Sequence, residues 1–355
     1  MSLTLTVDGP RWRAHLEAVA EKHPGIVPVA KGNGYGFTLG RLARKTQWLR
    51  DRGHDVTTLA VGTYDEVAEV ASRWHGDILV LTPWRSFVEP LPPELVKRVI
   101  HTVGRLTDLE QLLAGEPRSR LVLERMTSMQ RHGMSGRELW EAGEVLRRHP
   151  EGRLEGVALH LPLQQGSHLG EVSRLLTDAV AADAGIDTVW VSHLTDRELV
   201  TLREQYGDFA IRPRIGTQLW LGDRGALRVT ATVLDVHPVE RGDSFGYRGR
   251  TAPRSGHLLV VSGGTAHGIG LEAPTGESSI KARAATLARG GLDAVGFVRS
   301  PYSIDGKQRL FAEPPHMQAS MLFLPTGAHV PAVGDQIDVR VRYTATWFDR
   351  VVISD

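Results

Sequence analysis

The sequence predicts an α/β protein: a closed (β/α)8, TIM-like barrel followed by an antiparallel β domain. Three observations carry this. Short apolar runs alternate with helical patterns up to residue 222, about eight times counting the run before Lys31, and that number suits a closed barrel. Several helical patterns open on Ser or Thr with Glu three residues later. Beyond Gly222-Asp223-Arg224-Gly225 the apolar runs continue without helical patterns between them, broken by glycine and proline. An open doubly wound sheet is the alternative reading of the first pattern.

In chain order, Leu3, Leu5 and Val7 alternate with polar residues and read as a half-buried strand. Arg11 to Lys22 reads as a helix after Pro10. The apolar run Val27–Ala30 is a strand leading into a glycine-rich loop. Leu39, Leu42, Ala43, Thr46 and Leu49 then share one helical face. Further strands are expected at Thr58–Val61, Ile78–Leu81, Val99–Val103, Leu121–Leu123, Gly156–Leu161, Thr188–Val191 and Phe209–Ile211. Thr63 with Glu66, Ser135 with Glu138 and Thr195 with Glu198 are capping boxes: the hydroxyl takes the Glu backbone N–H and the carboxylate reaches back. In the β domain, strands are expected at Leu227–Val236, His257–Ser262, Met321–Leu324 and Gln336–Tyr343, with loops at Arg248–Gly256 and Gly263–Gly276. The expected domains are 10–222 for the barrel and 1–9 with 223–355 for the β domain.

Composition bounds the function. The chain has 355 residues, enough to bury a large core. Its formal charge of +1 gives no reason to expect nucleic acid or an anionic membrane as partner. It has no cysteine, so disulfides, thiolate nucleophiles and Cys-ligated metals are excluded. The N-terminal residues lack a signal-peptide pattern and no apolar run is long enough to span a bilayer; with the lack of cysteine this fits a cytoplasmic protein, which is expected.

The chemistry is expected around Lys31. A strand ends on this one lysine, and Gly32, Gly34 and Gly36 follow with Tyr35 among them. Such glycines let backbone N–H groups approach a ligand, and a strand-end lysine stands where barrels hold their sites. The plain alternative is a tight turn with a solvated lysine.

The segment Val29-Ala30-Lys31-Gly32-Asn33-Gly34-Tyr35-Gly36 resembles the cofactor-lysine segment of the alanine racemase family, apolar-apolar-Lys-x-Asn-x-Tyr-Gly. Later segments match in order over most of the chain. The resemblance implies pyridoxal 5′-phosphate (PLP) as cofactor, joined covalently to Lys31, with Tyr35 reaching its phosphate. Arg212-Pro213-Arg214-Ile215-Gly216-Thr217 resembles the family's Arg-x-Gly segment. It places Arg214 at the pyridine nitrogen and Gly216 and Thr217 at the phosphate, with Ser192 beside them. Arginine stays protonated, so it donates to that nitrogen. His160 would lie against the cofactor ring. Met129-Gln130-Arg131-His132-Gly133 resembles Met-Gly-Arg-Leu-Gly, which assigns Arg131 to the substrate carboxylate. Gly242-Asp243-Ser244-Phe245-Gly246-Tyr247 resembles Gly-Glu-x-Val-Gly-Tyr, which makes Tyr247 the second catalytic group, contributed across a homodimer interface. Met317 would touch the substrate. The implied reaction is racemisation of an amino acid, alanine or somewhat larger, by two-base proton exchange at Cα involving Lys31 and Tyr247. A decarboxylase or aldolase on the same scaffold, and a non-catalytic PLP-binding protein, are the alternatives. No metal site is expected.

The departures from the family pattern concern the entrance and the supporting groups. Glu124 stands where many members have a carbamylated lysine, and it could orient Arg131 by a charge-assisted bond. Val191 replaces the asparagine before Ser192, and His193 has no counterpart. Thr265 replaces an entrance tyrosine, His267 an acid, and Gln318 the acid after Met317. The C-terminal phosphate tyrosine is not evident; Trp347, Phe348 and Asp349 occupy its neighbourhood, and Tyr302 has no assigned role.

Overall fold

A computed structural model describes residues 2–163, 166–271 and 298–355. The part of the expected loop Gly263–Gly276 beyond residue 271 lies outside the described residues. The chain divides into two compact units, Arg13–Gly222 and Met1–Trp12 with Asp223–Asp355. It begins with β1 (Leu3–Val7) and α1 (Gly9–Lys22).

The first unit is the barrel. Strands and helices alternate as β2 (Val27–Pro28), α2 (Leu39–Asp51), β3 (Thr58–Val61), α3 (Val67–Ala71), β4 (Asp77–Val80), α4 (Pro93–Val96), β5 (Val99–Val103), α5 (Leu106–Gly115), β6 (Arg120–Arg125), α6 (Gly136–Arg148), β7 (Arg153–His160), α7 (Leu169–Ala181), β8 (Thr188–Ser192), α8 (Asp196–Gln205), β9 (Ala210–Ile215) and α9 (Thr217–Leu221). All eight strands from β2 to β9 pair in parallel, in the order β2-β9-β8-β7-β6-β5-β4-β3. A parallel bridge between Val29 and Ala60 joins the two ends and closes the ring.

Strands covered on both faces read as near-continuous apolar runs, and alternate residues here serve two cores. Val27, Val29, Ala60, Leu79, Ile100, Val122, Ala158 and Trp190 pack together. Their neighbours of opposite parity, Leu121, Leu123, Val157, Leu159, Val189 and Val191, pack against Leu112, Leu139, Val172, Leu175 and Leu199 of the helices. At the starts of β4 and β6, Arg120 bonds both oxygens of Asp77, at 2.6 and 2.7 Å, and Glu155 at 2.7 Å. Two capping boxes form in full. Glu138 donates its N–H to Ser135 and its carboxylate accepts the Ser135 N–H, and Glu198 does the same with Thr195. The strand expected at Phe209–Ile211 continues through Pro213 to Ile215.

The second unit contains β1, β10 (Leu227–Val239), β11 (Ser244–Phe245), β12 (Arg250–Thr251), β13 (Gly256–Ser262), β14 (Arg299–Ile304), β15 (Lys307–Phe311), β16 (Ala319–Pro325), β17 (Gln336–Val339) and β18 (Arg350–Ile353). The large sheet runs β13-β16-β15-β14-β17-β10-β1-β18, and β13 also pairs with β10. Its pairs are antiparallel except β1 with β18. Leu3, Leu5 and Val7 are buried, as their alternation requires. Two expectations are corrected. The run Gln336–Tyr343 is strand only to Val339, and Tyr343 instead lies under the Arg224 guanidinium at 4.8 Å. The loop Arg248–Gly256 contains β12, paired with β11 as a short hairpin. Among the described residues no helix is long and apolar enough to cross a membrane.

Candidate active site

Strand alternation builds the site. Two residues beyond each member of the inner barrel core lies the next side chain on the same face. Those positions hold Lys31 after Val29, Gly62 after Ala60, Leu81 after Leu79, Thr102 after Ile100, Glu124 after Val122, His160 after Ala158 and Ser192 after Trp190. Arg214 follows Arg212 on β9 by the same step. Apolar side chains fill the inner core, and polar ones gather at the C-terminal ends of the strands, where barrels carry their chemistry.

The loop after Lys31 is wound tightly. Gly34 has φ +61°, and a Cβ there would come within 2.7 Å of the Leu39 nitrogen, so glycine is required. Tyr35 itself is left-handed at φ 55°. Its ring is buried, and its hydroxyl sits so close to Gly216 that a Cβ at 216 would overlap it. Burial first, and the Glu66 charge second, push the Tyr35 phenol up to about 12. Gly216 precedes α9, whose first turn has N–H groups without intrahelical acceptors.

Lys31 is an exposed residue, yet its amine is held below the ordinary lysine value. Enclosure of the amine is the largest cause, Arg131 and Arg214 repel its proton, and Glu66 opposes them.

Arg214 is buried. Its Nη2 donates to the Leu159 carbonyl at 3.0 Å, while its Nε has no partner. Burial lowers its pKa to about 10, with Glu124 opposing and Arg131 adding to the shift. Glu124 is 3% exposed, and its Oε2 has no hydrogen-bond partner. Burial pushes this carboxyl up, against the pull of Arg214, Arg131 and Arg85. The charge-assisted bond expected between Glu124 and Arg131 is not formed among the described residues; Arg131 is exposed, and the two interact through space.

His160 ends β7 and lies opposite Ser192 of β8 in the ladder. Its ring centroid is 4.9 Å from that of His193. Burial and the cations Arg214 and Arg131, with weaker repulsion from His193 and Lys31, take His160 down to about 3, so it is neutral near pH 7. His193 has φ 66°, and its Nδ1 lies 2.6 Å from the Leu161 carbonyl. A carbonyl only accepts, so Nδ1 carries the proton and Nε2 is the free acceptor of the neutral ring. Ser192 is buried.

Of the residues the sequence singled out, Lys31, Tyr35, Arg131, His160, Ser192, Arg214, Gly216 and Thr217 belong to the barrel unit, at strand ends or in the loops that follow them. Tyr247 and Met317 belong to the β unit. There Tyr247 is 89% exposed, but its backbone is pinned: its N–H donates to Glu313 Oε2 at 2.9 Å. Glu313 is buried and also holds His316 Nε2 at 2.7 Å, and the His316 ring meets the Tyr247 ring edge-on at 5.2 Å. The 264–266 turn donates from Thr265 to the His316 carbonyl and from Ala266 to the Met317 carbonyl, which fixes exposed Met317 beside it. His267 bonds Asp349 at 3.0 Å, and Asp349 accepts the Leu3 N–H at 2.7 Å, so both are structural. Tyr302 is core, bonded to the Ser262 and Gly263 carbonyls.

Two features were not legible. Tyr64 Oη lies 2.8 Å from Nδ1 of buried His101 on β5, a pairing between different strand ends. Glu66 reaches well beyond its capping box, as described below. Among the described residues no group of three or more His, Cys, Asp or Glu could hold a metal ion.

Comparison with known proteins defines first a class: the chain has the alanine racemase fold. It superposes on the alanine racemase of Bartonella henselae, a structure with covalently bound pyridoxal phosphate, with a TM-score of 0.71 at 15% identity over 100% of both chains. The alanine racemase of E. faecalis gives 0.67 at 18% identity, covering 99% of this chain and 98% of that one. The histidine racemase of Leuconostoc mesenteroides subsp. sake gives 0.66 at 16%, again over 99% and 98%. No curated protein matches. At the level of sequence, residues 7–173 match the family model of the alanine racemase N-terminal domain.

Proposed function

We propose that this protein is a PLP-dependent amino-acid racemase, acting as a homodimer in which Tyr247 of one copy serves the barrel site of the other. The observation that carries the reading is the unpaired Nε of buried Arg214, an orphaned donor at the strand ends that hold Lys31. A buried donor without an acceptor is costly unless a ligand completes it. The pyridine nitrogen of PLP is such an acceptor. Ser192, the first turn of α9 at Gly216 and Thr217, and the Tyr35 hydroxyl seated against Gly216 suit a phosphate. Lys31, with its proton affinity reduced, suits covalent attachment to an aldehyde.

When bound, PLP supplies a ring that withdraws electrons and makes the α-proton of an attached amino acid acidic. The chain's residues do the rest. Arg214 orients the ring through its nitrogen and, being a cation, yields no proton there. Neutral His160 would line the cofactor's place without adding charge. Arg131, which is exposed, receives the substrate carboxylate. Lys31 Nζ and Tyr247 Oη each hold or release the proton exchanged at Cα, from opposite sides, which inverts the centre.

The substrate side chain is proposed to be larger than a methyl group. Thr265 stands where the family has an entrance tyrosine, and a histidine racemase shares the fold. The test is deuterium wash-in at Cα across the common amino acids in heavy water with PLP present, followed by chiral analysis. Exchange with racemisation of at least one amino acid is expected. Loss of the carboxylate, or cleavage at Cβ, would instead make the chain a decarboxylase or an aldolase.

A further inference from the structure

The Glu66 carboxylate lies where its short-range role does not explain it. The sequence pattern assigns it to a capping box, and Oε2 does accept the Thr63 N–H at 3.3 Å. The shorter bonds go elsewhere. Oε2 accepts the N–H of Gly62 at 2.6 Å, and Oε1 accepts the N–H of Gly32 at 2.6 Å. Gly32 directly follows Lys31, and Gly62 directly follows β3. The carboxylate of Glu66, 34 residues from Gly32 in sequence, thus fastens the lysine loop to the end of the neighbouring strand.

A second observation points the same way. A Cβ at Gly62 would come 3.1 Å from the Lys31 Cβ and 3.0 Å from Glu66 Oε2. The bare backbone at 62 lets the lysine stem and the carboxylate share one place. We propose that Glu66 is the positioning residue of Lys31: its carboxylate fixes the direction in which the lysine leaves β2 and places a negative charge next to the lysine stem. The proposal rests on the reading of Lys31 as the reactive amine, but its test does not need the cofactor.

The charges around Lys31 make the role measurable. Arg131 from the segment after β6 and Arg214 from β9 repel its proton, and His160 from β7 and His193 after β8 also interact with it. Glu66, from the turn after β3, is the opposing acid. A clip that was merely structural would change how firmly the loop is held but not the pH at which the amine loses its proton.

The experiment uses the full chain without added cofactor. Acetic anhydride at trace level, with quantitative mass spectrometry of the Lys31 peptide, gives a labelling midpoint in pH for wild type and Glu66→Gln. The midpoint at Lys31 is expected to fall by roughly half a pH unit in Glu66→Gln, or about threefold faster labelling below it, with Lys45 unchanged. Hydrogen exchange supplies the second reading: the Gly32 and Gly62 amides should exchange faster in Glu66→Ala while the β6 amides do not. Equal midpoints at Lys31 in wild type and Glu66→Gln would overturn the electrostatic role, and unchanged exchange at Gly32 would overturn the clip. Wild type mixed with PLP tests Lys31 itself: failure to develop visible absorbance refutes the cofactor reading and leaves the Glu66 result standing.

Discussion

The Tyr35 hydroxyl rests against the α-carbon of Gly216, in space that a single methyl group would fill. The contact joins the lysine loop to the end of β9, and only glycine at 216 permits it. Gly216→Ala must therefore displace a buried ring, at a cost of about 1–3 kcal/mol for overpacking. Thermal unfolding should show the loss. Affinity for PLP should fall more than affinity for pyridoxal, which lacks the phosphate. Equal losses for both would mean that Tyr35 and Gly216 do not bind the phosphate.

Arg214 and Glu124 are buried opposite charges in one low-dielectric place. Removing the cation alone takes away a charge that favours the ionised form of the buried carboxyl. Arg214→Met should be destabilised, and adding Glu124→Gln should recover part of the loss. Denaturant titration of the four proteins gives the coupling. Additive losses would show that the two charges do not support each other.

His101 is 2% exposed, and burial takes it down to about 4 from an ordinary value near 6.5. Below pH 6.5 the unfolded chain gains this proton while the folded chain does not, so stability falls as pH drops. The loss develops between about pH 6.5 and pH 4 and amounts to about 3 kcal/mol at its end. Above pH 6.5 the group adds no slope. Denaturation midpoints of wild type and His101→Gln across this range should diverge at the acid end, with the variant flatter. Parallel curves would place the acid sensitivity elsewhere.

These residues show what the sequence made legible. The apolar alternation foretold the barrel because a strand covered on both faces is mostly apolar, and Lys31 stood out because it ends such a run and is followed by glycines. Reading two residues past Val122 also leads to Glu124. Glu66 could not be found so: its helix-cap spacing is satisfied locally by Thr63, and the Gly32 bond depends on the ring bringing β2 next to β3. β11, β12 and β18 are too short to show a period, and Arg-Pro-Arg hid the end of β9 because its arginines face the barrel interior rather than solvent.

In the β unit, Glu313 holds both the Tyr247 N–H and the His316 ring, and Gly246 leaves no room for a side chain beside it. Glu313→Ala should free the Tyr247 segment, seen as faster amide exchange at Tyr247, and lower the racemisation rate without weakening PLP binding. Unchanged exchange would show that Glu313 does not fix this tyrosine.

The most direct measurement is reductive trapping. The protein is incubated with PLP, treated with borohydride, digested and mapped by mass spectrometry. A pyridoxyl-phosphate adduct on the peptide containing Lys31, absent from Lys31→Ala, is the predicted result. An adduct confined to other lysines, or none at all, would contradict the assignment of Lys31 as the reactive amine.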